Sequence, residues 1–149
     1  MNIEKKYKYK NFVFVLINDF SLVAFSNAIE PLRLANRQAQ KEIYTWKLMS
    51  ETGENVKCSS GFILKVDGAL SLLDNDDFVI FCTGQNIKKN TTKKLLNWIR
   101  KESRKKIYIG SICTGTYILA KAGLINDISS TIHWENREAL KEEFEHLNI

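Results

Sequence analysis

Apolar residues along the chain fall into two patterns, short continuous runs and longer stretches with helical spacing. The runs predict strands covered on both faces, as in a parallel sheet, and the helically spaced stretches predict amphipathic helices between them. The predicted strands cover residues 11–17, 44–50, 78–82, 107–112 and, last and shortest, 131–134. The predicted helices cover residues 20–40, 88–106, 116–122 and 135–146.

This alternation predicts an α/β fold, with a doubly wound, mostly parallel sheet and helices on both of its faces. Between the second and third strands, residues 56–66 predict a small hairpin or a bend at the sheet edge, and residues 70–77 predict a short helical turn and loop.

The first helix carries two local features. Asp19 and Ser21 are both candidates for its N-cap, because each side chain can accept a hydrogen bond from the first turn. Pro31 removes one hydrogen bond inside the helix. The helix is therefore expected either to kink near Ala28 or to become regular only at Glu30.

Length and composition fit a globular protein. The 149 residues are 44% hydrophobic with one proline, which predicts one domain over residues 1–149 with a basic tail at residues 1–10. The longest apolar runs fall far short of the roughly 20 residues of a membrane span. No secretory signal is visible, so we expect a cytoplasmic protein without a membrane partner. Three cysteines without CxxC spacing indicate reduced thiols, and we expect neither a metal nor a cofactor.

The net charge of +5 is concentrated in one segment, since nine of the 22 lysines and arginines lie between Lys88 and Lys106. Residues Leu95, Leu96, Trp98 and Ile99 supply the apolar stripe of an amphipathic helix there. The basic residues then form either a solvated face or a contact for nucleic acid, and no nucleic-acid-binding motif accompanies them.

Cys113 lies in a turn between a predicted strand and a predicted helix, within the stretch Gly110-Ser111-Ile112-Cys113-Thr114-Gly115. Small residues let the backbone and helix approach closely, as in a nucleophile elbow. The helix N-terminus favours a thiolate over a thiol. Cys113 is therefore either a reactive group or part of a pocket floor. Because ligands gather at the carboxyl ends of parallel strands, one rim should also include Asn18, Thr83, Gly84 and His133.

The strings GSICTGTYILAKAGLI and TIHWE resemble the class I glutamine amidotransferase-like, flavodoxin-like fold of the PfpI/ThiJ superfamily. The strings FSLVAFSNAIEPLRLANR and YTWKLMSETG are similar to the N-terminal sensor domain of AraC-type transcriptional regulators. The resemblance extends over about residues 11–147. It implies that Cys113 occupies the nucleophile position with His133 beside it, and that Gly84 and Thr114 supply backbone N–H groups to an oxyanion-hole-like site.

Two positions depart from the enzymes of that superfamily. Ala24 stands where they carry an Asp or Glu near the cysteine, and Glu30 is the only nearby acid. Thr83-Gly84 replaces a common Gly-Gly pair. Both departures resemble the regulator branch, whose domains bind a small metabolite without converting it.

The resemblance thus implies the ligand-sensing domain of an AraC-type regulator, with an amino acid or a quaternary ammonium compound as ligand. The expected ligand-binding residues are Asn18, Thr83, Gly84, Cys113, Thr114, His133 and Trp134. The alternative is a cysteine-dependent hydrolase, hydratase or deglycase in which Cys113 and His133 are catalytic. The resemblance also implies a homodimer. It implies that DNA is bound only through a C-terminal helix-turn-helix domain, which lies outside this chain. We therefore expect the chain to be truncated at its C-terminus.

Overall fold

The computed structural model describes residues 11–105 and 107–149, so the predicted basic tail and the Lys106 end of the basic helix lie outside the described residues. The strands are β1 Asn11–Leu16, β2 Thr45–Ser50, β3 Val56–Lys57, β4 Ile63–Leu64, β5 Gly68–Ala69, β6 Asp77–Cys82 and β7 Tyr108–Ile112. The helices are α1 Leu22–Ala39, α2 Ile87–Asn90, α3 Lys93–Glu102, α4 Thr116–Ala122 and α5 Arg137–Glu143. Short 3-10 turns cover Ser103–Lys105 and Trp134–Asn136.

The main sheet has five strands in the order β5-β2-β1-β6-β7, and every neighbouring pair is parallel. Side chains of the central β1 alternate between its two faces, since successive residues of a strand point in opposite directions. Val13 and Val15 pack in one core, and Phe14 and Leu16 pack in another. Both sets are buried because β1 has helices on each side of it.

Each face of the sheet has its own core. The first contains apolar residues of α3, α4 and α5, among them Leu95, Ile118 and Leu140. The second contains Phe20, which lies just before α1, and Phe25 of α1, together with apolar residues of the β3–β4 hairpin. The predicted α/β fold, with a parallel sheet between helices on both faces, is therefore confirmed.

Helix α1 begins at the cap that its sequence offers. The Ala24 N–H donates to the Ser21 hydroxyl at 3.3 Å, so Ser21 is the N-cap rather than Asp19. The helix runs without a break through Pro31, and the expectation that it becomes regular only at Glu30 is wrong. Because proline has no N–H, the Asn27 carbonyl loses its helical donor. Both residues are exposed, so water can donate to this carbonyl instead.

Three predicted elements differ in the structure. Residues 131–134 form no strand, because they meet the chain at the turn after β7 and make one backbone bond there, from the His133 N–H to the Cys113 carbonyl at 2.9 Å. The last helix is shorter than predicted, at Arg137–Glu143. The basic segment forms two helices rather than one, since the Thr92 hydroxyl accepts the Leu95 N–H and caps a new helix.

The middle of the chain also differs in part. The hairpin at residues 56–66 is confirmed, but its two short strands pair only with each other and form a separate sheet. Residues 70–77 contain no helix. The Leu73 N–H instead donates to the buried Glu102 carboxylate at 2.9 Å, which holds this loop against α3. Strand β5 was not predicted, because two residues are too few for a periodic pattern.

Candidate functional site

Cys113 lies at the predicted elbow between β7 and α4. Its φ of 61° is in the left-handed region, which costs a residue other than glycine about 1–2 kcal/mol. Gly115, two residues after Cys113, allows the backbone of the turn to lie close to Ser111 and Phe81. A Cβ there would lie 2.7 Å from the Ser111 Cβ and 3.2 Å from the Phe81 carbonyl oxygen. The strand-to-helix turn is therefore held by packing in a conformation that projects the thiol from the sheet.

The environment of the thiol favours its neutral form. Partial burial raises the pKa of Cys113, the Thr114 backbone N–H lowers it, and the negative charge of Glu135 raises it again, with a net rise. This rise opposes the expected stabilisation of a thiolate by the N-terminus of α4, because burial and a nearby carboxylate outweigh one backbone donor. A neutral thiol is a weak nucleophile and an ordinary pocket contact.

A cavity of about 200 Å³ opens beside Cys113. It brings together four of the predicted site residues, Gly84, Cys113, Thr114 and His133. Its other lining residues are Ser21, Ser59, Gln85, Glu135 and Asn136. The lining is thus mostly hydroxyl, amide and backbone groups, which suits a small polar ligand.

Thr83, Gly84 and Thr114 form one hydrogen-bonded unit at the base of the cavity. The Thr114 hydroxyl donates to the Gly84 carbonyl at 2.7 Å and lies 3.0 Å from the Thr83 hydroxyl, which itself donates to the Ile112 carbonyl. Thr83 is buried and does not line the cavity. We infer that it acts on the site through Thr114, by fixing the ends of β6 and β7 relative to each other.

Two predicted site residues lie elsewhere. Asn18, which follows β1, lines a different cavity. Strand β6 lies between β1 and β7, so the ends of β1 and β7 are two strand spacings apart, or about 10 Å. The Trp134 side chain is 75% exposed and does not line the Cys113 cavity, although its ring lies 5.8 Å from that of His133. The predicted single rim is therefore divided in two.

Helix α1 supplies no acidic partner to the Cys113 sulfur. Ala24 occupies the first turn, and Glu30 forms an exposed ion pair with Arg33 at 2.6 Å. Among residues 11–105 and 107–149, no side chain forms a hydrogen bond with the Cys113 sulfur. The carboxylate that does line the cavity is Glu135, whose Oε2 lies 3.7 Å from Nδ1 of His133.

Several residues that line the Cys113 cavity were not predicted from the sequence. Glu135 directly follows the His-Trp pair, so its position could have been noted. Ser59 had no local signal, since it comes from the β3–β4 hairpin. Its N–H donates to the Phe20 carbonyl at 2.9 Å, and this bond brings the hairpin to the start of α1.

The described parts of the chain contain neither a candidate metal site nor a candidate membrane-spanning helix. No three histidine, cysteine or acidic side chains there are placed to hold a metal ion. No described helix combines the length and the apolar character that crossing a membrane requires.

A family model described as the DJ-1/PfpI family matches residues 10–147. The chain belongs to this family. It is 36% identical over 140 residues to the HTH-type transcriptional regulator CdhR of Pseudomonas aeruginosa, a match that covers 94% of this chain and 41% of that protein. It is also 36% identical over 136 residues to the HTH-type transcriptional regulator GlxA of Rhizobium meliloti, covering 91% of this chain and 42% of the relative. The chain thus spans about two fifths of these relatives.

Solved structures share the fold of this chain. An AraC family transcriptional regulator from Pseudomonas putida superposes with a TM-score of 0.80 at 24% identity, over 92% of this chain and 74% of that one. A ThiJ/PfpI family protein from Pseudomonas syringae superposes with a TM-score of 0.69 at 16% identity, over 94% of this chain and 58% of the other. The predicted resemblance to this superfamily and to transcriptional regulators is confirmed.

Proposed function

We propose that this chain is the ligand-sensing domain of a transcriptional regulator and that it binds a small polar metabolite in the Cys113 cavity. The observation that carries the proposal is the state of the thiol. Cys113 occupies an elbow, but its pKa is raised and no side chain of the described residues is hydrogen-bonded to its sulfur. The site keeps the shape of a reaction centre, but α1 brings no carboxylate to its sulfur.

The relatives support the regulatory part of the proposal, because CdhR and GlxA are both HTH-type transcriptional regulators. In this proposal, DNA binding belongs to a separate helix-turn-helix region, and the domain described above supplies the sensor. We further propose a homodimer, which sedimentation equilibrium of the purified chain would test.

A thermal-shift screen with amino acids and quaternary ammonium compounds tests the ligand. A compound present at 100 times its dissociation constant should stabilise the fold by about 2.7 kcal/mol. The matched variants are Asn136→Ala, which removes an amide from the cavity, and Asn97→Ala, which removes an exposed amide on α3. We expect the first to reduce the shift and the second to leave it unchanged. A screen without any stabilising compound would contradict the proposal.

A second candidate function is a cysteine-dependent hydrolase, hydratase or deglycase. The left-handed φ of Cys113 and the placement of His133 and Glu135 around the same cavity favour it. Turnover of glyoxals or amides that is lost in Cys113→Ser would establish this function and would overturn the sensor proposal.

A further inference from the structure

A second cavity, of about 260 Å³, lies at the carboxyl ends of β1 and β2. In open parallel sheets this end of the strands is where ligands bind. The cavity shares no lining residue with the one beside Cys113. It is lined by Leu16, Ile17, Asn18, Ser50, Glu51, Thr52, Glu54, Asn55, Val56, Lys89, Asn90 and Thr92.

Hydrogen bonds between distant parts of the chain fix the walls of this cavity. The Thr92 hydroxyl donates to Oε2 of Glu51 at 2.6 Å, and the Asn90 side chain donates to the Asn18 carbonyl at 2.8 Å. The buried Ser50 hydroxyl donates to the Glu54 carbonyl at 2.7 Å. These bonds join β1, β2 and the α2–α3 junction before any ligand arrives, and such preorganisation lowers the cost of binding.

The charged groups of the lining are two carboxylates, Glu51 and Glu54, and one ammonium group, Lys89. Within the described residues neither carboxylate forms an ion pair. The Lys94 ammonium group, which does not line the cavity, donates to the Glu51 backbone carbonyl at 3.1 Å, so two ammonium groups lie near the two carboxylates. The cavity offers carboxylate oxygens beside the apolar residues Leu16 and Val56, and it therefore favours a ligand that joins N–H donors to a short apolar body.

The rest of the lining distinguishes a primary ammonium group from a quaternary one. Carboxylate and amide oxygens accept hydrogen bonds, which a primary ammonium group can donate and a quaternary one cannot. Quaternary ammonium groups are instead bound by aromatic rings, and the lining contains none. We propose that this second cavity binds a compact primary amine. This inference does not depend on the proposed role of the Cys113 cavity.

NMR titrations of the full 149-residue chain test the inference. The probes are n-butylammonium, the uncharged 1-butanol and the quaternary tetramethylammonium. We expect n-butylammonium to shift the side-chain amide signals of Asn18 and Asn90, and to bind at least about tenfold more tightly than either other probe, because only it combines charge with N–H donors. Equal binding of 1-butanol or tetramethylammonium would overturn the inference, as would the absence of shifts at these two residues.

Variants separate this site from the first. Glu51→Gln keeps an oxygen for the Thr92 hydroxyl, and Glu54→Gln changes an exposed side chain, so both should fold. Each should weaken n-butylammonium binding about tenfold. Asp127→Asn, which removes an exposed carboxylate outside the cavity, and Cys113→Ser should not. Weakening by Cys113→Ser, or unchanged binding in both glutamine variants, would overturn the inference.

Discussion

Replacing Gly84 with alanine should strongly destabilise the fold, because Gly84 is where β6 meets the start of α1. A Cβ at this position would lie 2.3 Å from the Asp19 carbonyl oxygen, 2.8 Å from the Ser21 nitrogen and 2.9 Å from the Phe20 carbonyl carbon. All three are backbone atoms, so no side chain can rotate away. Overpacking commonly costs 1–3 kcal/mol, and we expect at least about 3 kcal/mol here.

The substitution should also disturb the Cys113 cavity, since the Gly84 carbonyl accepts the Thr114 hydroxyl. Denaturation by guanidinium measures the free energy of unfolding. Gly68→Ala is the matched control, because nothing lies within 4 Å of a Cβ at Gly68 and its cost should stay within about 0.5 kcal/mol. If Gly84→Ala cost no more than Gly68→Ala, the close approach of β6 to the start of α1 would be refuted.

Three further substitutions test other parts of the fold by denaturation. Hydrogen bonds from Lys88 and Lys121 lower the pKa of Glu143 to about 2, so this carboxylate stabilises the fold above pH 4.5 and the effect is lost as the pH falls towards 2. Glu143→Gln should remove about 1 kcal/mol at pH 7 and little at pH 2. Ser21→Ala should cost about 1 kcal/mol through loss of the α1 cap. Glu102→Ala should cost at least about 2 kcal/mol, because a buried backbone donor loses its acceptor.

Much of the fold could be predicted from the sequence, because its central strands are fully apolar runs and the intervening helices are amphipathic. The failures occur where tertiary contacts decide. Residues 131–134 have the composition of a strand, yet they meet the turn at Cys113 rather than the edge of β7. The hydroxyl of Thr92 divides the basic segment into two helices, although a continuous helix fits its apolar spacing.

The candidate site was predicted only in part for a related reason. Motif spacing identifies Cys113 and His133, but it cannot say that β6 separates Asn18 from them. Nor does it reveal Ser59, which a hairpin brings to the site through backbone bonds to Asp19 and Phe20. The protonation state of Cys113 depends on burial and on Glu135, neither of which the elbow motif contains.

The rate of alkylation of Cys113 by iodoacetamide as a function of pH tests most directly whether this thiol belongs to a receptor or a reaction centre. Peptide mass spectrometry separates it from Cys58 and Cys82, which are buried. Because burial and Glu135 raise the pKa of Cys113 above its usual value, the rate should reach half its maximum at a higher pH than the roughly 8.5 of an unperturbed thiol. A midpoint well below about pH 8.5 would show an activated thiolate and would contradict the account.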